Sequence, residues 1–180
     1  MDAFEQLVAE FFWQEGYWVQ TSVRVKLTKA QKVEIGRFST PDWEVDVVAY
    51  RGATNELLAS ECKSFFDSTG VQAAEICNSE GATKGKYKLF CERTLRGVVL
   101  TRLREQMVEQ GLCPPGPPAR LGMVAGKIKK GDEEILASVF EHNGWLLLGG
   151  TWLRDGLLSL SKGSYRNHLA AVAAKILLRG

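Results

Sequence analysis

Asp46, Glu61 and Lys63 are the residues of this chain best suited to chemistry. They lie in residues 41–64, PDWEVDVVAYRGATNELLASECKS. Residues 43–50 and 57–63 read as strands with period-two alternation. Residues 51–56, Arg-Gly-Ala-Thr-Asn-Glu, have turn composition, with Gly and Asn able to take positive φ. A β-hairpin follows. On its first strand Glu44, Asp46, Val48 and Tyr50 share one face, and Val45, Val47 and Ala49 the other. A symmetric turn sets Tyr50 opposite Leu57, Asp46 opposite Glu61 and Glu44 opposite Lys63.

Directly opposed Cβ atoms sit roughly 5 Å apart, and like charges there are destabilising. Two carboxylates in that relation ask for a cation. Mg²⁺, which takes oxygen ligands at about 2.0–2.1 Å, would supply it. Lys63, about 6.5–7 Å further along the same face, would stand beside the ion. The plainer alternative is a solvated sheet face, with Glu44 and Lys63 as a cross-strand ion pair and the acids diverging into water.

The elements that must position these residues are legible around them. Phe4, Leu7, Val8, Phe11 and Phe12 repeat at helical spacing, predicting a helix over 2–15, capped by Asp2 and ended by Gly16. Glu5 falls at the edge of the apolar stripe and Glu10 well round on the solvent side. Glu5 is thus either a third site carboxylate or an acid favoured at a helix start. Residues 17–27 alternate as a strand. Residues 29–38 read as a turn and a second short extended run. Arg24, Lys26, Lys29, Lys32 and Arg37 cluster just before the hairpin, as a solvated face or as contacts to a phosphate backbone.

One hundred and eighty residues, 45% hydrophobic and 24% charged, predict a single domain over 1–180 with a real core. The net charge of +2 by itself argues neither for nor against nucleic acid. No apolar run has the length of a membrane span, and the acidic, amphipathic start is unlike a signal peptide. The expectation is a cytoplasmic protein with no membrane partner. Cys62, Cys77, Cys91 and Cys113 form no C-x-x-C pair, and with only His142 and His168 beside them zinc is not expected. Cys62, between Glu61 and Lys63, points to the opposite face and belongs to the core.

The helix with Phe4-Glu5, the strand Glu44-Val45-Asp46-Val47-Val48 and the strand Glu61-Cys62-Lys63 resemble the PD-(D/E)xK, or restriction-endonuclease-like, nuclease superfamily. The match is nearest to its archaeal Holliday-junction-resolvase-like and methylation-dependent restriction branches. It spans about the first third of the chain, with the core motifs in 1–77. The resemblance implies an α/β fold, a mixed central β-sheet flanked by helices. It implies a Mg²⁺- (or Mn²⁺-) dependent DNA endonuclease or resolvase that hydrolyses phosphodiester bonds in the cytoplasm. Asp46, Glu61 and Lys63 would be its catalytic set, with Asp46, Glu61 and Glu5 holding metal and Arg24, Lys26, Lys29, Lys32 and Arg37 on DNA. Pro41-Asp42 is a literal PD, but Asp46 is preferred because it lies inside the apolar run. The partners are DNA and, where the protein is not a monomer, a second copy. The alternatives are a catalytically inactive DNA-binding or assembly domain that retains the nuclease fold, and a metal-independent interaction protein.

Beyond Ser64, residues 71–77 are predicted helical and 78–88 a Gly/Lys-rich loop. Residues 93–111 form a helix striped by Leu95, Val98, Val99, Leu103 and Met107. Pro-rich 113–118 forms a loop, and 121–128 a strand. Residues 132–142 form a helix capped by Asp132 and ended by Gly144. A buried apolar strand over 145–148, an ambiguous amphipathic stretch over 152–160 and a closing helix over 165–178 complete 93–180.

Overall fold

The computed structural model describes residues 2–39, 41–77, 86–164 and 169–178. Five strands form one mixed sheet in the order β1 (Trp18–Val25), β2 (Trp43–Arg51), β3 (Glu56–Lys63), β4 (Arg120–Ala125), β5 (Leu146–Leu148). The first two pairings are antiparallel and the last two parallel. Helices cover both faces, which makes the fold α/β.

Helix α1 (Ala3–Gln14) follows from its stripe: Phe4, Val8, Phe11 and Phe12 are buried. They pack with Val19, Val47, Ala49, Leu58 and Val124 from the sheet. Asp2 and Glu5 close a full capping box at its start, and Gly16 takes φ +83° at its end. The same layer holds α7 (Gly150–Lys162) and α8 (Leu169–Leu178). A Cβ at Gly156 would meet the Phe11 ring at 2.7 Å, so only glycine allows α7 to lie this close to α1. Trp152 fills the seam, edge-on to Phe11 at 5.3 Å.

On the opposite face lie α2 (Lys29–Glu34), α3 (Ala73–Cys77), α4 (Lys88–Cys91), α5 (Arg93–Glu109) and α6 (Glu133–His142). Leu95, Val99, Leu103 and Met107 of α5 and Leu136 and Phe140 of α6 pack against Val45, Val48, Leu57 and Ala59. The predicted α5 stripe is buried throughout. Beside it Gln106 uses its amide on the β1 edge, donating to the Arg24 carbonyl at 3.0 Å and accepting from the Lys26 N–H at 2.9 Å.

Several expectations change. Residues 29–34 are helical because Thr28 and Gln31 form a reciprocal capping box, which outweighs the extended reading. Glu10 is buried, at 6% exposure, in the layer where α1 packs with α7 and α8, not on an open face as a lone amphipathic helix would have it. Asp132 does not cap α6; its carboxylate accepts the Ala73 N–H at 2.8 Å, tying α3 to α6. β5 is one of the two edge strands and only half buried. The stretch 152–160 is part of helix α7, so among the described residues helices follow β5 and no further strand does. Lys88 opens α4 rather than closing a loop. The rest of that Gly/Lys-rich stretch, apart from Lys86 and Tyr87, and the first residues of the predicted closing helix lie outside the described residues, as does His168.

Candidate active site

The hairpin pairs as the symmetric turn predicts: Tyr50 faces Leu57, and the ladder runs to Val47 opposite Ser60. Asn55 in the turn takes φ +50°. The ladder stops one residue short of the expected Asp46–Glu61 pair. There the backbone pairing of β2 with β3 ends, and Asp46 Oδ2 accepts the Cys62 N–H at 2.7 Å. The carboxylate stands in for a ladder carbonyl, which fixes its position.

Lys63 closes the group. Its Nζ lies 3.1 Å from Glu61 Oε2 and 3.8 Å from Asp46 Oδ2. The three side chains are 16% (Lys63), 14% (Glu61) and 22% (Asp46) exposed. Burial raises the Glu61 carboxyl above the usual carboxylate range, opposed by Lys63 and reinforced by Asp46. Burial works against the Lys63 charge, but Glu61 and Asp46 outweigh it and the ammonium is held more firmly than usual. Burial pushes the Cys62 thiol up, in keeping with its place against the α1 layer.

Glu5 joins from α1. Burial, then the charge of Asp46, raises its carboxyl. Its Oε2 takes the Asp2 N–H and the Ser22 hydroxyl, each at 3.4 Å, so the helix-start role and the place at the site coexist. Ser22 has φ +52° and lies between the pairs Thr21↔Val47 and Val23↔Val45, across from Asp46. At this level both strands change faces: Val19 and Val47 pack toward α1, Val25 and Val45 toward α5. Val45 therefore does not share a layer with Val47 and Ala49. A positive φ at a residue other than glycine is a local strain, and here it sits beside the carboxylates. Sequence reasoning missed Ser22, since serine carries no signal for that conformation.

The other proposed residues divide. Glu44 pairs with Arg24 at 3.7 Å, its register partner on β1, and not with Lys63. Asp42 pairs with Lys32 at 3.7 Å, apart from the Asp46 group. Arg37 pairs with Glu92, its Nη2 donating to both carboxylate oxygens at 2.7 Å. Lys26 and Lys29 are exposed, with no carboxylate within 4 Å among the described residues. The basic run thus has two open cations, while Arg24, Lys32 and Arg37 are ion-paired.

Three carboxylates against one ammonium leave an excess of two negative charges when all are ionised. Among the described residues no three His, Cys, Asp or Glu side chains are gathered as a ready metal cage. Mg²⁺ in phosphate chemistry needs only one or two carboxylates, with water and substrate phosphate completing its shell. Asp46 and Glu61 fit that requirement in number and in oxygen chemistry.

The fold defines the class as an α/β domain with a five-stranded mixed sheet. The chain matches no protein-family model, no curated protein and no solved structure in the comparisons made.

Proposed function

We propose that this chain is a Mg²⁺- or Mn²⁺-dependent DNA endonuclease or resolvase of the PD-(D/E)xK type. One observation carries the reading: the Lys63 ammonium lies within 3.8 Å of both Asp46 and Glu61 where β2 and β3 part, with Glu5 of α1 near enough to feel the Asp46 charge. Asp46 and Glu61 would hold the ion, and Glu5 would border it. When bound, a divalent ion polarises the scissile phosphate and lowers the pKa of water.

The chain's own groups do the rest. The Cys62 N–H pins Asp46 in its ligating position. Lys63, held protonated by its two acids, orients the attacking water and offsets negative charge developing on the phosphate. Lys26 and Lys29 lie on the phosphate backbone. The test is Mn²⁺-dependent cleavage of branched, linear and single-stranded DNA, with Asp46→Ala alongside. Cleavage by the parent and none by Asp46→Ala is the expected result.

A second reading draws on the same contact. Lys63 at 3.1 Å from Glu61 already compensates one acid, as in a nuclease-like domain that binds DNA or assembles without cutting it. Such a protein binds DNA equally well with chelator present and cuts nothing.

A further inference from the structure

Next to the candidate site is a pocket of about 400 Å³, within the roughly 300–1,000 Å³ range of small-molecule sites. Phe4, Leu7, Phe66, Leu157 and Leu158 line it, and among the described residues Arg154 is the charged residue on its wall. Two of its walls belong to the site's own framework. Phe4 adjoins Glu5, and Gly126 donates its N–H to the Lys63 carbonyl at 2.8 Å.

Phe66 is the unusual member. The chain leaves Lys63 through Phe65, a bulky residue at φ +45°, which packs against the α5-side core. Phe66 is left on the outside, 57% exposed. Its ring is nonetheless held. It lies edge-on to Phe4 at 5.6 Å, and a Cβ on Gly126 would come within 2.8 Å of it. An aromatic ring fixed in place yet open to water has already lost the freedom that binding would otherwise remove. Arg154 is exposed, with no carboxylate within 4 Å among the described residues. A fixed aromatic face, an apolar hollow and an open guanidinium suit a nucleotide, base inside and phosphate at the rim.

We infer that this pocket receives one unstacked base of the nucleic-acid substrate, next to the phosphodiester held at Asp46 and Glu61. The substrate class is therefore DNA with an unpaired base near the cut: a single strand, a flap or a junction. The position of that phosphodiester rests on the proposed nuclease reading. The base pocket itself is tested without metal or turnover.

The test is fluorescence anisotropy of labelled oligothymidine and of a fully paired duplex, in chelator, for the parent, Phe66→Ala, Phe66→Trp and Arg154→Ala. Base–aromatic stacking predicts a loss of roughly 5- to 150-fold in oligothymidine affinity for Phe66→Ala. Duplex affinity should be nearly unchanged. Phe66→Trp restores binding because the stacking face returns, and circular dichroism confirms that each variant is folded. A 2-aminopurine base in the strand should change its emission on binding to the parent and not to Phe66→Ala. Failure of the parent to bind oligothymidine, or equal binding by Phe66→Ala, overturns the inference. Loss of self-association in Phe66→Ala with oligothymidine binding intact gives the pocket to a second copy of the chain and overturns it too. Binding as predicted without cleavage in Mn²⁺ leaves the base pocket standing and removes the nuclease reading.

Discussion

Asp46 Oδ2 accepts the Cys62 backbone N–H at 2.7 Å, so the candidate ligand is also a piece of the sheet's hydrogen bonding. Structure and chemistry can be separated there by substitution. Asp46→Asn keeps an oxygen for the N–H and loses the charge. Asp46→Ala loses both and leaves a part-buried donor unpaired. Chemical denaturation should show Asp46→Ala destabilised by about 1–3 kcal/mol, nearer the lower end because Cys62 is only part-buried, with Asp46→Asn closer to the parent. Calorimetry should show Mn²⁺ binding weakened in both. Parent-like Mn²⁺ affinity in Asp46→Asn would remove the carboxylate from the proposed metal site.

Lys63→Met keeps the apolar stem and deletes the ammonium between Glu61 and Asp46. Exposed ion pairs contribute about 0–1 kcal/mol, and breaking a fully buried one costs about 3–5 kcal/mol. With side chains 16% and 14% exposed, the expected loss lies between, about 1–3 kcal/mol. Single-turnover cleavage should fall about 10²–10³-fold. Cleavage at the parent rate by a folded Lys63→Met protein would falsify its catalytic role.

The basic run should split by its ion pairs. Neutralising Lys26 and Lys29 together should weaken DNA binding and lower the salt slope by roughly 0.9 per lost phosphate contact. Arg37→Ala should act mainly on stability, because its guanidinium is engaged by Glu92. Equal salt slopes in the parent and the double lysine variant would make that stretch a solvated face.

The acids also set a pH dependence. Burial raises Glu61 and Glu5 above the ordinary 4.5, with Asp46 adding to both. Between 4.5 and the raised value the folded protein keeps a proton that the unfolded chain has lost. Stability from this source is greatest at low pH and falls as pH rises through that window. Melting temperature against pH should decline across it in the parent and flatten in Glu61→Gln. A parent-like slope in Glu61→Gln would place the titration elsewhere.

The hairpin could be read because its signals are local. Alternation gives the strands, and a turn able to close symmetrically sets Tyr50 on Leu57 and leaves Asp46 and Glu61 both beside Lys63. Helix α1 was equally plain, since its apolar stripe and Asp2 cap lie within one stretch of chain. What escaped was not local. Glu10 is buried within a layer completed by helices that arrive about 140 residues later. The face change at Ser22 and the turn at Phe65 need left-handed backbone at residues whose types do not announce it. Thr28 and Gln31 do announce α2 through their capping-box spacing, which stands among basic residues that read equally as an extended run.

The amide of Gln106 has a consequence for life in a concentrated solution. A sheet's outermost strand offers a free row of donors and acceptors on which a foreign strand can grow. On β1 the Arg24 carbonyl and the Lys26 N–H are answered by one side chain, and the Lys26 carbonyl by Arg102. Helix α5 thus ends the sheet with two side chains where another molecule's backbone would otherwise add on, and this stretch of β1 gives no foothold for fibre growth.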